Sequence, residues 1–261
     1  MLNIGLDLLE QVGDIAKRAG QEIMKVYETD FAVEKKADLS PVTEADRRAE
    51  ELILRSITMG ITDKYPIIGE EAFAEGNAPA INGQPFWLVD PLDGTKEFVN
   101  RNGEFTVNIA LIDAGRPVLG VIHAPVGNRT YWGAAAGVFA QSGDGEERVI
   151  SCRQAPADGM VAMVSRSHRG PDIDPFLSHY NIASETSAGS SFKFCLIAEG
   201  KADIYPRLGR TMEWDTAAGQ AILNFAGGAI TDLDGAPLQY GKPGFENPHF
   251  LAQGPGVAKK T

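Results

Sequence analysis

The chain has 261 residues, of which 43% are hydrophobic and 23% are charged, with a formal net charge of -11. This length allows a sizeable core, in one large domain or two smaller ones. The excess of acids argues against a nucleic acid polymer as partner, because phosphate binding along a polymer needs a basic face. No apolar stretch is long enough for integral membrane association, and no signal peptide is visible. Cys152 and Cys195 have no metal or redox spacing, which favours a reduced, cytoplasmic protein.

The first part of the chain is predicted to begin with two amphipathic helices. Apolar residues at helical spacing predict one helix over roughly residues 5–28, and a second is expected to start near Thr43. The segments "YPIIGEE" and "FWLVD" are typical of short buried strands that end in acids. From Phe105 to Ile150, strand-like runs separated by turn signals predict an antiparallel meander.

Beyond about Pro156 the pattern changes to alternating strands and helices. The segments "MVAMVS", "ADIYPR" and "AITDL" are expected to be strands, and "SFKFCLIAEG" and "WDTAAGQAILNFAGG" to be helices that stop at glycine. No repeat or flexible linker separates the two parts. We therefore expect two packed halves, an N-terminal α+β half over residues 1–155 and a C-terminal α/β half over residues 156–261.

The segment "VDPLDGT" combines two acids with a possible helix start. Asp90 is expected at the end of a strand that Pro91 cannot continue. Asp93 follows, directly before Gly94 and Thr95. Turn formation and helix capping explain both acids equally well on local grounds. Alternatively, two carboxylates and the carbonyl between them, directed at one point, suit a hard divalent cation, and the following amides would face an anion.

Three further acids stand at the ends of predicted elements. Glu70 of "GEE" follows an apolar run, and Asp215 lies at a predicted helix start. Asp46 has the capping-box spacing to Thr43. Each acid alone is explained by solvation or capping. Together with "DPLD" they place acids at the ends of four rigid segments, which favours a multi-metal site.

A fifth acidic segment, "TDLDGA", is similar to the aspartate-nucleophile motif of haloacid-dehalogenase-type phosphatases. Its acids, Asp232 and Asp234, lie late in the chain after a Gly-Gly stop, and no second motif follows them. We interpret this segment as a turn.

The ordered set of motifs resembles the lithium-sensitive, magnesium-dependent phosphatases of the inositol monophosphatase superfamily. The resemblance extends from "KKADLSPVTEAD" through "GEE", "DPLDGTKEF" and "SSFKFCLIAEGKADIYPR" to "EWDTAAGQAI". Within the superfamily, the chain is most similar to the CysQ-type 3'(2'),5'-bisphosphate nucleotidases. The resemblance implies a five-layer αβαβα sugar-phosphatase fold, with an antiparallel sheet in the N-terminal half and an α/β C-terminal half. It also implies Mg2+-dependent hydrolysis of adenosine 3',5'-bisphosphate, a by-product of sulfate assimilation, to AMP and phosphate.

The resemblance further implies two to three Mg2+ ions per site and inhibition by Li+. The first ion would be held by Glu70, Asp90 and the carbonyl of Leu92. The second would be held by Asp90, Asp93 and Asp215, and a third, weaker ion would lie near Asp46.

The roles toward the substrate follow from the same resemblance. Gly94 and Thr95 would hold the reacting phosphate, and the Thr95 hydroxyl would orient the attacking water together with either Glu70 or Asp38. The rest of the substrate would be bound from the second half of the chain by His168, Ser190, Lys193, Arg207 and Asp215.

Several alternatives remain open at the level of sequence. Lys193 could be a surface lysine and His168 a loop residue. The same fold could act on inositol phosphate or on another sugar or alcohol phosphate. A non-catalytic, cation-dependent binding protein is a third alternative. The oligomeric state and a peripheral association with the inner membrane face are not determined by these patterns.

Overall fold

The computed structural model describes residues 3–36, 41–167 and 169–260. Asp38 and His168, two of the predicted site residues, lie outside the described residues. The helices are α1 (Leu6–Tyr27), α2 (Glu44–Gly60), α3 (Glu70–Ala74), α4 (Thr95–Val99), α5 (Ile173–Leu177), α6 (Phe192–Ala198), α7 (Glu213–Phe225) and a 3-10 turn at Pro243–Phe245. None of the helices in these ranges has the length and apolar character needed to cross a bilayer.

The strands form one small and two large sheets. A ribbon pairs β1 (Glu34–Lys35) with β2 (Pro41–Val42). The strands of the first large sheet are β3 (Ile67–Gly69), β4 (Phe86–Asp93), β5 (Thr106–Asp113), β6 (Arg116–Ala124), β7 (Arg129–Ala134), β8 (Gly137–Ser142) and β9 (Arg148–Val149). The strands of the second are β10 (Met160–Ser165), β11 (Ile182–Ala188), β12 (Ile204–Arg207), β13 (Ala229–Asp232) and β14 (Phe250–Gln253).

The first large sheet confirms the predicted meander. Its strands follow chain order from β3 to β9, and each neighbouring pair is antiparallel except β3 and β4. The second sheet has the order β11-β10-β12-β14-β13. Its β10 pairs are parallel, whereas β14 runs antiparallel to both neighbours.

The elements stack in five layers. Helices α1 and α2 pack on the outer face of the first sheet and enclose one apolar core. Helices α6 and α7 lie between the two sheets in the largest core. Helix α5 covers the outer face of the second sheet over a smaller core. The αβαβα order expected from the motifs is therefore confirmed.

The central helix α7 approaches the first sheet closely at two glycines. A Cβ atom added at Gly120 of β6 would lie 2.4 Å from the carbonyl oxygen of Ala218. A Cβ atom at Gly133 of β7 would lie 2.9 Å from Cα of Ile222. Real Cβ atoms do not approach backbone this closely, so these positions let α7 lie against the sheet.

Candidate active site

The spacing of Asp90 and Asp93 is explained by a bulge in β4. Asp90 pairs with Asn108 of β5, and Asp93 pairs with Thr106, so three steps along β4 match two steps along β5. Side chains three apart on a regular strand point to opposite faces, and one extra residue restores the common face. Both acids accordingly line the same cavity.

This geometry corrects the expectation that the strand ends at Asp90. Strand β4 continues through Pro91 to Asp93. Pro91 lies within the irregular stretch between Asp90 and Asp93, where the pairing register with β5 shifts. Proline has no N–H to donate, and a bulge is one of the places in a sheet where it is tolerated. The Asp90 carboxylate accepts the N–H of Leu92 at 3.0 Å, which stabilises the turn of the chain here.

Gly94 and Thr95 form the transition from β4 into α4. Gly94 has φ 93° and ψ 43°, a left-handed conformation that glycine adopts at little cost. The Thr95 hydroxyl lies 3.2 Å from Asp46 Oδ1 and 3.2 Å from the Leu92 carbonyl oxygen. Asp46 also completes the predicted capping box of α2, because its Oδ2 accepts the Thr43 N–H at 2.8 Å. One carboxylate thus both caps a helix and contacts the predicted water-orienting residue.

Glu70 is the first residue of α3 and is paired with a buried lysine. Lys36 Nζ lies 2.6 Å from carboxylate oxygens of both Glu70 and Glu71. Burial lowers the pKa of Lys36, but the charges of these two acids outweigh burial and raise it above the ordinary lysine value. Glu50 of α2 holds the start of α3, since its carboxylate accepts the N–H groups of Glu71 at 2.9 Å and Ala72 at 2.8 Å.

Asp93 and Asp215 come from different halves of the chain and meet at Ser191. One oxygen of Asp93, Oδ2, accepts the N–H and the hydroxyl of Ser191, both at 2.5 Å. The same oxygen accepts Asn108 Nδ2–H at 3.2 Å. Asp215 lies in the first turn of α7 and accepts the N–H of Met212 at 2.8 Å.

The buried acids of the site lie close enough to influence one another's ionisation. Burial raises the pKa of Asp90 well above its usual range, and the charges of Glu70, Asp93 and Asp215 raise it further. Burial also raises the pKa of Asp215, with contributions from Asp93 and Glu70. The pKa of Asp93 is raised by burial against the opposing effect of its Ser191 hydrogen bonds. Mutual repulsion of this kind is relieved when a cation binds.

A cavity of about 460 Å³ gathers most of the predicted site residues. Its walls contain the predicted residues Glu70, Asp90, Leu92, Asp93, Gly94, Thr95, Ser190, Lys193, Arg207 and Asp215. Asp46 is not among the residues that line the cavity, but its carboxylate contacts the hydroxyl of Thr95, which does line it. Asp232 and Asp234 do not line it either, and Asp232 accepts the N–H groups of Asp234 and Ala236, which confirms the turn interpretation.

Two of the basic residues that line the cavity, Lys193 and Arg207, come from the second half of the chain. Lys193 is 4% exposed, and its Nζ donates to the carbonyl oxygens of Ser190 at 2.5 Å and Ala188 at 3.2 Å. Burial lowers its pKa to about 8. Arg207 Nη2 donates to the Arg210 carbonyl oxygen, whereas its Nε is buried without a hydrogen-bond partner among the described residues. Lys193 is therefore not a surface lysine.

Several residues of the site were not predicted from the sequence. They are Lys36, Glu50, Asn108 and Ser191. The signal for Asn108 was a lone amide inside the apolar run "FTVNIALI", and the signal for Ser191 was its place beside Ser190 in "GSSFK". Within residues 3–36, 41–167 and 169–260, no group of three or more His, Cys, Asp or Glu side chains is arranged as a ready-made metal cluster.

Comparisons with known proteins agree with this architecture. The model of the inositol monophosphatase family matches residues 7–259. The 3'(2'),5'-bisphosphate nucleotidase CysQ of Escherichia coli K12 is 45% identical over 246 residues, covering 93% of this chain and 98% of that protein.

Solved structures give the same result. The crystal structure of CysQ from Bacteroides thetaiotaomicron has a TM-score of 0.79 and 36% identity, covering 95% of this chain and 97% of that one. The inositol monophosphatase from Anabaena has a TM-score of 0.75 and 25% identity, covering 96% and 91%.

Fold and site together define a layered α/β protein whose cavity is lined by several acidic and several basic side chains, the class to which the metal-dependent sugar phosphatases belong. The chain is a member of the inositol monophosphatase family.

Proposed function

We propose that the chain is a Mg2+-dependent phosphomonoesterase that hydrolyses adenosine 3',5'-bisphosphate to AMP and phosphate. The observation that carries this proposal is the bulge that turns Asp90 and Asp93 toward one cavity together with Glu70 and Asp215. The relative that is 45% identical over nearly its whole length is named a 3'(2'),5'-bisphosphate nucleotidase, which supports the choice of substrate. The reaction would take place in the reducing cytoplasm, in keeping with free thiols at Cys152 and Cys195.

The chemistry of the donor set fits Mg2+. The cavity offers carboxylate and carbonyl oxygens, the ligands that this hard cation prefers. Burial raises the pKa values of Asp90 and Asp215, and the charges of neighbouring acids raise them further, a repulsion that a cation would relieve. Glu70, Asp90 and the Leu92 carbonyl would hold one ion, and Asp90, Asp93 and Asp215 a second. A third would lie near Asp46. Bound Mg2+ would neutralise phosphate charge and lower the pKa of a water molecule.

Protein groups around the metal positions would orient the reactants. The Thr95 hydroxyl lies 3.2 Å from Asp46 Oδ1 and 3.2 Å from the Leu92 carbonyl oxygen, and it would hydrogen-bond the attacking water. Glu70 or Asp38 would act as its partner in removing the proton. The amides of Gly94 and Thr95 would hold the phosphate that reacts.

The second phosphate of the nucleotide would bind beside Lys193 and Arg207, which line the cavity. Lys193 provides positive charge there, and Arg207 Nε, which has no hydrogen-bond partner among the described residues, provides a donor. A phosphate next to Lys193 would favour its protonated form, which burial disfavours. Ser190 lines the same cavity. The family resemblance adds His168, which lies outside the described residues, as a further substrate-binding residue.

A panel of phosphate esters tests this substrate assignment. Phosphate release would be measured with Mg2+ for adenosine 3',5'-bisphosphate, adenosine 2',5'-bisphosphate, inositol 1-phosphate and AMP. We expect the bisphosphates to give the highest kcat/KM, chelation by EDTA to abolish turnover and Li+ to inhibit it. Equal or faster turnover of inositol 1-phosphate would replace this proposal with an inositol monophosphatase.

The substitution Asp90→Asn tests whether the acid-lined cavity is the catalytic site. It removes a charge shared by both proposed ions, so kcat should fall by more than about 100-fold, beyond the 10–100-fold typical of outer-shell partners. Asp232→Asn is the matched control, because Asp232 is an acid in a turn outside the cavity. A folded Asp90→Asn variant with unchanged kcat would contradict the assignment, and a wild type inert on every ester would favour a binding protein.

A further inference from the structure

Ser191 connects the two acids that are proposed to hold the second ion. It precedes α6 and is 2% exposed. Its hydroxyl oxygen lies 2.5 Å from Asp93 Oδ2 and 2.6 Å from the backbone carbonyl oxygen of Asp215. The hydroxyl has a single proton, so the two oxygens share one donor. Ser191 therefore lies between an acid from β4 and the first turn of α7.

Hydrogen-bond donors are concentrated on one oxygen of Asp93. Asp93 Oδ2 accepts the Ser191 N–H, the Ser191 hydroxyl and Asn108 Nδ2–H. The Asn108 amide also donates to the Ser191 hydroxyl oxygen at 3.0 Å. Its own carbonyl oxygen accepts the Thr106 hydroxyl at 3.0 Å, which fixes the orientation of the amide. These bonds orient the carboxylate so that its other oxygen, Oδ1, is the one available for a cation.

The ordinary role of a serine at the start of a helix does not explain this contact. A helix N-cap serine usually accepts a backbone N–H of its own helix through its side chain. Ser191 occupies the N-cap position of α6 but makes no such side-chain bond. Its hydroxyl is directed at Asp93 and Asp215 instead. The hydroxyl thus supports the position of Asp93 and of the first turn of α7 rather than the N-terminus of α6.

We propose that Ser191 is a positioning residue for the second Mg2+ ion, because its hydroxyl fixes the Asp93 carboxylate against the first turn of α7. This inference rests on the proposed function of the site. Partners that orient a metal-binding carboxylate typically change metal affinity or activity by about 10–100-fold when they are removed. Because the hydroxyl joins the two halves of the site, its loss should affect cation binding more than substrate binding.

The variant Ser191→Ala separates the hydroxyl from the backbone N–H, which it leaves in place. Mg2+ alone would be titrated calorimetrically into the metal-free wild type and the variant. We expect the apparent Mg2+ affinity of Ser191→Ala to fall by about 10–100-fold. The Mg2+ concentration needed for half-maximal kcat should rise in parallel, while the KM for adenosine 3',5'-bisphosphate at saturating Mg2+ stays close to that of the wild type.

Thr130→Val is the matched control. It also removes a buried hydroxyl that makes a hydrogen bond, to His123 Nδ1 at 2.9 Å, but Thr130 does not line the cavity. A general loss of stability would therefore appear in both variants, whereas the loss of Mg2+ affinity should appear only in Ser191→Ala.

The outcomes distinguish this inference from the proposed function. Wild-type Mg2+ affinity in a folded Ser191→Ala variant would overturn the role of Ser191 while leaving the phosphatase assignment intact. A wild type that binds no Mg2+ would instead overturn the proposed metal site. If Ser191→Ala does not fold, Ser191→Gly deletes the same hydroxyl at a position where glycine is well tolerated, and the same comparison applies.

Discussion

Asp90 and Asp93 show how far residue-level reasoning extends at this site. Their residue types and the following Gly94 were sufficient to predict two carboxylates beside an anion-binding turn. The bulge that gives them a common face could not be predicted, because Pro91 alone is equally compatible with the end of a strand. The chemistry of the segment was therefore readable from sequence, whereas the backbone geometry behind it depends on pairing with β5.

Ser191 and Asn108 show a second limit on what the residue type alone can predict. A serine or an asparagine is common in loops and strands, so its type alone does not indicate whether its side chain faces solvent, backbone or another side chain. Only the folded structure brings Asn108 of β5 and Ser191, the residue before α6, onto Asp93. The acids at the ends of elements were easier to interpret from the sequence. An acid that directly follows an apolar run is placed near the core, where carboxylates are rare unless they are paired with another group.

At the same scale, His123 should contribute a specific pH dependence to stability. Burial lowers its pKa to about 4, with Lys17 adding to the effect. Because the unfolded pKa is about 6.5, the unfolded chain binds a proton that the folded protein does not, so stability falls as pH decreases from about 6.5 toward 4. His123→Gln should reduce the loss of unfolding free energy between pH 7.5 and pH 5 by about 2 kcal/mol relative to wild type.

The measurement is urea unfolding of both proteins at the two pH values. His249→Gln, the same substitution at an exposed histidine, is measured alongside. Parallel pH profiles for wild type and His123→Gln would show that His123 is protonated equally in the folded and unfolded states.

Helices and strands whose apolar residues recur at a regular spacing were predicted well from the sequence. Helix α1 spans Leu6–Tyr27 against an expectation of about 5–28, because its buried residues recur at helical spacing. Strand β11 was not predicted. Its sequence, "IASETSA", is polar, and most of the strand is exposed at the edge of the second sheet, so burial imposes no hydrophobic pattern there.

At the level of elements, two glycine substitutions should have opposite effects. Gly120→Ala forces a Cβ atom to 2.4 Å from the Ala218 carbonyl oxygen of α7, and overpacking of this kind costs about 1–3 kcal/mol of unfolding free energy. Gly13 lies inside α1, and a Cβ atom added there would have no atom of the described residues within 4 Å apart from the nearby backbone of its own helix and its chain neighbours. Gly13→Ala should stabilise the protein by about 0.5–1 kcal/mol, because alanine is the better helix former.

Chemical denaturation of the two variants beside the wild type measures both effects. A Gly120→Ala variant as stable as the wild type would mean that α7 can move away from the sheet without loss.

For the molecule as a whole, the layered fold was predictable only through the resemblance. The order of strands and helices indicated two packed halves, but not that α7, from the second half of the chain, covers the first sheet. That contact joins elements far apart in the chain, such as β6 (Arg116–Ala124) and α7 (Glu213–Phe225), and no local pattern encodes such a pairing.

The stabilisation of the whole protein by Mg2+ should depend on pH. In the metal-free protein the raised pKa values of Asp90, Asp93 and Asp215 mean that these acids favour folding at low pH and lose that contribution as pH rises. Mg2+ binds the deprotonated carboxylates and relieves their repulsion. The increase in Tm caused by Mg2+ should therefore be larger at pH 8 than at pH 6.

Thermal unfolding with Mg2+ or EDTA at both pH values measures this coupling. Calorimetry in two buffers of different ionisation enthalpy should also detect proton release on Mg2+ binding at pH 6. A Tm increase that is independent of pH, without proton release, would place the cation away from these acids.

The extra residue in β4 limits how the sequence of this segment can change during evolution. The common orientation of Asp90 and Asp93 depends on the number of residues between them, because a strand alternates its faces with every residue. Replacing Pro91 or Leu92 by another residue leaves that number unchanged. Deleting either one would remove the register shift and turn one of the two carboxylates away from the cavity. Selection on this stretch should therefore act more strongly on insertions and deletions than on the identity of the two residues between the acids.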